Sequence, residues 1–251
     1  INLNHLKSLI NDNTLLVTII WANNEIGTIQ DIHQISTICK EKDVYLHVDA
    51  VQIIGQVPFL LSDIQVDLMT FSAHKFYGPK GIGALYVKKG IELESVIHGG
   101  GHEFGARAGT ENLLGIIGLA KAMELSYEHL QKNIDHLKSL SKYLYDGLKT
   151  MHDIKLNGAA FGTSRLPGHL SISFKKINGF QFSFNLDQQG IYVSTGSACS
   201  ANIIEASHVL KAIQVDKDYI DGTLRITLGV HQTLEDMASA LEIFKDVLSC
   251  Y

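Results

Sequence analysis

Two short apolar runs, each ending on a polar residue that can do chemistry, constrain the fold of this chain more than any other feature. Val44-Tyr45-Leu46-His47-Val48-Asp49 closes on an aspartate. Val66 to Phe71 runs into Ser72-Ala73-His74-Lys75, then the turn Gly78-Pro79-Lys80-Gly81 and a further apolar run, Gly83 to Val87. β-rich segments bounded by turn residues predict strands. Asp49 and Lys75 are 26 residues apart, enough for a crossover between parallel strands. Both then stand at the carboxyl ends of successive strands, the edge along which open parallel sheets bind ligands. A lysine placed there, beside glycines that let a ligand approach the backbone, can be desolvated and made nucleophilic at neutral pH. Lys80 sits inside the Gly-Pro-Lys-Gly turn, where exposure is expected, and is set aside for that role.

The rest of the chain alternates in a way that suits an α/β protein. Leu15 to Ala22 is continuously apolar, as expected of a strand buried on both faces, and Ile29 to Lys42 has helical spacing. Asn112 to Thr150 is helical throughout except for a polar break at Gln131-Lys132-Asn133, which predicts two helices end to end and a domain boundary there: 1–130 and 131–251. Beyond it, Leu170 to Phe174 alternates with period two, predicting a half-exposed strand; Phe180 to Gln189 suggests a helix and Gly190 to Ser194 a second strand.

Formal charge of −5 leaves no basic footprint for direct nucleic-acid binding. No apolar run reaches the ~18 residues of a membrane span and no leader pattern opens the chain, so a cytoplasmic protein is expected. Three cysteines form no paired framework, which fits a reducing compartment. Cys39 lies on a helical stripe and reads as packing, and Cys250 lies one residue from the end. Cys199 lies among small residues in Thr195-Gly196-Ser197-Ala198-Cys199-Ser200-Ala201, a setting that suits a structural or a reactive thiol. Arg225 stands in the otherwise apolar Gly222 to Gly229; it needs an anion, either an amino-acid α-carboxylate or a structural partner. His98-Gly99-Gly100-Gly101-His102 is followed by no zinc-type ligand spacing, and no metal is expected.

Five separated motifs, Asn23-Asn24-Glu25-Ile26-Gly27-Thr28, His47-Val48-Asp49-Ala50-Val51-Gln52, Ser72-Ala73-His74-Lys75, the glycine-rich stretch His98 to Thr110 and Ser194-Thr195-Gly196-Ser197-Ala198-Cys199, occur in one order. Together they resemble the cysteine desulfurases that depend on pyridoxal phosphate (PLP), in the class V aminotransferase group and its long-loop subgroup. The resemblance implies a fold-type I α/β architecture. Its parts are an incomplete large domain with a mostly parallel sheet, over 1–130, and a smaller α+β C-terminal domain carrying the cysteine loop, over 131–251. Members of that family carry a further N-terminal segment of about a third of their length, so the chain resembles one that begins within the large domain.

By the same resemblance, Lys75 carries PLP as a Schiff base and then acts as base. Asp49 holds the ring nitrogen protonated, Gln52 meets the ring hydroxyl, and Ser72 and His74 meet the phosphate. Thr110 meets the phosphate held by the second subunit of a homodimer with shared sites. Asn24 and Arg225 hold the substrate carboxylate, and Asn24 also lies by the PLP ring. Cys199 takes the sulfur of L-cysteine as a persulfide, leaving L-alanine, and passes it to an acceptor protein, a scaffold for iron-sulfur clusters or a thiotransferase for tRNA thiolation. Two alternatives are a catalytically inactive remnant that acts by binding a partner, and an enzyme like the selenocysteine lyases.

Overall fold

The computed structural model describes residues 1–195 and 207–251. They form two compact units, 1–21 with 30–130 and 22–29 with 131–251. The short segment 22–29 thus belongs with the C-terminal half of the chain.

The first unit holds α1 (Leu3–Leu9), β1 (Leu16–Ile20), α2 (Ile32–Glu41), β2 (Tyr45–Asp49), β3 (Leu68–Ser72), β4 (Gly83–Val87) and α3 (Leu113–Glu128). Its four strands make one sheet in the order β1-β2-β3-β4. The first three are parallel, with Ile20 opposite Asp49 and Asp49 opposite Thr70, and β4 returns antiparallel with Gly83 opposite Ser72. A mostly parallel sheet, with α2 as the crossover from β1 to β2, is the α/β class expected of the sequence. Asp31 caps α2 by accepting from the Gln34 amide, and Ile32, Ile35, Ser36 and Cys39 form its buried stripe. Cys39 is therefore a packing residue, and burial pushes its thiol pKa up, away from reactivity.

The β1 strand corrects the expectation of burial on both faces. Val17, Leu46, Val48 and Met69 are buried, whereas Leu16, Ile20, Tyr45 and Leu85 are exposed on the opposite face of the sheet. The described residues cover only one face, so period-two alternation decides which side chains are enclosed.

The second unit contains α4 (Leu130–Met151), β5 (Ile154–Leu156), β6 (His169–Phe174), α5 (Gly179–Asp187), α6 (His208–Ala212), α7 (Lys217–Ile220), β7 (Thr223–Thr227) and α8 (Leu234–Leu248). Its three strands form an antiparallel sheet in the order β5-β6-β7. Leu137, Leu140, Leu144 and Leu148, three or four residues apart on α4, join the core made with Leu170, Ile172 and Phe174. The Phe174 ring meets that of Phe182 edge-on at 5.0 Å. A capping box of Thr233 and Asp236 opens α8.

Strand β6 is buried along its whole length, not half-exposed as its alternation predicted. Its polar positions are enclosed because they have partners: the Asn157 amide donates to Ser171 Oγ at 3.2 Å and to Ser173 Oγ at 2.8 Å, and Ser173 pairs with the Thr223 hydroxyl at 2.7 Å. A central strand can bury serines when each hydroxyl is satisfied. The strand expected at 190–194 reduces to a single bridge between Ser194 and Arg225. No helix among the described residues is long and apolar enough to cross a membrane.

Candidate active site

In the first unit the sequence-predicted residues gather at one end of the sheet. Asp49 is the last residue of β2, and its Oδ1 accepts from the Val51 amide at 2.9 Å, which turns the chain away and fixes the carboxylate. Among the described residues no hydrogen bond engages its other oxygen. Gln52 follows, half-buried in the turn. On the adjacent parallel strand Ser72 is terminal, and His74 and Lys75 stand in the 3₁₀ turn Ala73–Phe76 just beyond it. Buried Ala73 and Phe76 anchor that turn at positions three apart, so the two residues between them face outward. Tyr77 closes it in the left-handed conformation (φ 66°), and the Gly78 amide donates to the Ala73 carbonyl at 2.9 Å. Lys75 and Lys80 are both exposed. The desolvation expected for the Lys75 amine is thus not supplied by the described residues, because its two anchors face inward and it does not.

Thr110 is exposed, two residues before Asn112, which caps α3. The loop ahead of it is held by the Ala108 amide on the Ile97 carbonyl at 3.3 Å, and by Arg107, whose guanidinium donates to the Ala108 carbonyl.

The second unit holds Asn24 and Arg225. Asn23 Oδ1 accepts from the Glu25 and Ile26 amides at 2.9 and 3.0 Å, so Asn23 forms the turn and Asn24 is presented beside it, half-buried. Arg225 lies on β7 in register with Ser171 of β6, and Glu25, Ser171, Leu210, Thr223 and Arg225 line one small cavity. Glu25 is buried and accepts from the Ser207 hydroxyl at 2.5 Å. Cys199 lies outside the described residues.

Arg165 and His169, which hold this turn, were not singled out from the sequence, where Gly27 was named only as part of its motif. Arg165 is only 3% exposed, and its guanidinium donates to the carbonyls of Ala159 (2.6 Å), Ile26 (3.1 Å), His169 (3.2 Å) and Asn157. His169 Nε2 donates to the Glu25 carbonyl at 3.0 Å. Gly27 adopts φ +69°, and a Cβ there would come within 2.8 Å of the His169 ring. The available signal was Arg165 itself, the one Lys, Arg, Asp or Glu between Asn157 and Phe174.

Burial pushes the His169 imidazole down to about 4; the positive charges of Arg225 and Arg165 act in the same direction and the Glu25 carbonyl opposes them. The folded ring stays neutral where the unfolded chain, titrating near 6.5, takes up a proton. Stability is therefore lost as pH falls from 6.5 towards 4, by about 3 kcal/mol at the lower limit. Urea unfolding at pH 7 and pH 4.5 checks this: His169→Asn is expected to lose less stability on acidification than the wild type, and equal losses would refute it.

The family model described as Aminotransferase class-V matches residues 1–239. The chain is 44% identical over 249 residues to a protein of Clostridium botulinum (strain Hall) named cysteine desulfurase IscS, covering 99% of this chain and 63% of that relative. Among solved structures, one titled NifS-like protein superposes with a TM-score of 0.91 at 39% identity, over 100% of this chain and 66% of the other. Another, titled SspA in complex with cysteine, gives a TM-score of 0.75 at 32% identity, over 93% and 64%. The chain thus spans a little under two thirds of the length of the proteins it matches.

Proposed function

The chain belongs to the class V aminotransferase family, whose members depend on PLP, and from that premise we propose that it is a cysteine desulfurase, converting L-cysteine to L-alanine and passing the sulfur on. The observation that carries the reading is the placement of Asp49, Ser72, His74 and Lys75 at the carboxyl ends of two adjacent parallel strands. The donor set fits the cofactor. Asp49 keeps a carboxylate oxygen open for a pyridinium nitrogen, Ser72 and His74 suit phosphate oxygens, Gln52 suits the ring hydroxyl, and Lys75 offers an amine for attachment. When bound, PLP supplies an electron sink that stabilises negative charge at the substrate Cα.

The protein's own groups do the rest. Lys75 would hold the cofactor through its amine and would also take the Cα proton. Arg225 and Asn24 orient the substrate carboxylate. The Cys199 thiolate attacks the substrate sulfur; a sulfur–sulfur bond forms as the carbon–sulfur bond breaks, and that electron pair stays with the carbon skeleton that becomes alanine. Thr110 serves the phosphate held by a second copy of the chain. Exposed Leu113, Leu114 and Ile117 beside it support a homodimer. The acceptor of the persulfide sulfur is a scaffold protein for iron-sulfur clusters or a thiotransferase acting on tRNA, in the cytoplasm, where free thiols such as Cys39 and Cys250 persist. The exposure of Lys75 favours a second reading, in which the chain retains the motifs and acts only by binding a partner.

Absorption spectroscopy of the 251-residue chain mixed with PLP and then L-cysteine, with alanine quantified, separates the two. A bound-cofactor band and alanine formation are expected, with alanine lost and the band kept in Cys199→Ser. No band in the wild type would overturn the enzymatic reading and leave partner binding.

A further inference from the structure

Within the first unit a histidine with no role in the proposed reaction ties together β1, β2 and β3, the last two of which end on Asp49 and Ser72. His47 stands two residues before Asp49 on β2, so both side chains leave the same face of the sheet. Thr18 of β1 is its register partner on one side, and on the other Thr70 of β3 is the register partner of Asp49. The imidazole spans them: Nδ1 lies 2.5 Å from Thr18 Oγ1 and Nε2 lies 3.2 Å from Thr70 Oγ1. A neutral imidazole has one N–H donor and one acceptor nitrogen, and each threonine hydroxyl can do either, so the three groups satisfy one another as a single row across β1, β2 and β3.

Beyond that row the strands end. The last backbone bonds along the edge are Trp21 N–H to the Asp49 carbonyl and Ala50 N–H to the Thr70 carbonyl, both 2.9 Å. The row therefore closes the sheet just below the carboxylate of Asp49, and its Thr70 end lies on the strand that leads into Ser72 and Lys75. This face is the one left exposed at Leu16, Ile20, Tyr45 and Leu85, so packing contributes little to holding the side chains there.

We propose that His47 is a positioning residue for the cofactor: the Thr18–His47–Thr70 row sets the spacing between the ring-nitrogen carboxylate on β2 and the attachment lysine beyond β3. This rests on the assignment of Asp49 and Lys75 to PLP. A histidine that merely satisfied polar groups on the sheet would affect stability and leave the bound cofactor's electronic state alone.

The test uses the 251-residue chain with His47→Leu, the near-isosteric Thr70→Val, His47→Gln, which restores a donor and an acceptor, and Tyr45→Ala as a control on the same face at the far end of β2. Two quantities are read: the dissociation constant for PLP, and the ratio of the bound cofactor's absorption bands for the ring-protonated and ring-neutral forms. His47→Leu and Thr70→Val are expected to weaken PLP binding by about tenfold and to shift the ratio towards the ring-neutral form. His47→Gln is expected to recover part of both, and Tyr45→Ala to match the wild type. Should His47→Leu fail to fold, Thr70→Val decides. Wild-type binding and band ratio in Thr70→Val, or the same change in Tyr45→Ala, would overturn the positioning role alone. A wild-type chain with no PLP band would instead remove the cofactor assignment and the positioning role with it.

Discussion

Lys75→Ala is expected to reduce alanine formation from L-cysteine by about ten-thousandfold, because on the proposed reading one amine would serve as both attachment point and base at Cα. The loss should come without unfolding. Lys75 is exposed and engages in no hydrogen bond among the described residues, while the turn that carries it is anchored by buried Ala73 and Phe76. Thermal unfolding of the variant should therefore overlay that of the wild type. A small primary amine added to the assay should restore part of the lost rate, since it supplies the missing base. Lys80→Ala is the matched control and should stay within about twofold of wild type, lying as it does on an exposed turn. A loss under tenfold in Lys75→Ala, or an equal loss in Lys80→Ala, would show that Lys75 does not hold the role.

Arg165→Met should cost about 3–5 kcal/mol of stability in the second unit. Removing the guanidinium strips hydrogen-bond donors from the carbonyls of Ala159, Ile26, His169 and Asn157 inside a buried site. Burial lowers the Arg165 pKa to about 10, so the group is still a cation at neutral pH and donates from all its nitrogens. Arg165→Lys should recover less than half of the loss, because a single ammonium cannot reach carbonyls spread around a planar fork. Urea unfolding followed by circular dichroism measures both variants. The Ile26 carbonyl belongs to the turn that presents Asn24, so if Asn24 holds the substrate carboxylate as proposed, Arg165→Lys should also raise KM for cysteine more than it lowers kcat. A stability change below 1 kcal/mol in Arg165→Met would mean that water replaces the guanidinium, contrary to its burial.

Much of the first unit could be read along the chain because its signals are local. Turn residues bound β2, β3 and β4, Asp49 ends its strand and Lys75 stands three residues beyond its own, so the order strand, aspartate, strand, lysine needed no knowledge of packing. The polar residues Gln131-Lys132-Asn133 signalled two helices end to end, but they lie in the first turn of α4 and the break itself falls at His129. Other features gave misleading local signals. Alternating serines suggested a half-open β6, yet Ser171 and Ser173 are enclosed by the partners they find in Asn157 and Thr223. A continuous apolar run suggested a β1 covered on both sides, although the described residues cover one.

By itself, the sequence determined the element order, the parallel pair of strands and the polar residues at their ends, since each depends on propensities and turns within a few residues. Only the tertiary structure decided how distant polar groups are satisfied. Arg165 serves the Ile26 carbonyl across 139 positions, and His47 joins threonines 29 and 23 positions away. The physical reason is that a buried or bridging polar group is stabilised by whichever donor or acceptor lies within about 3 Å, and separation along the chain does not reveal that distance.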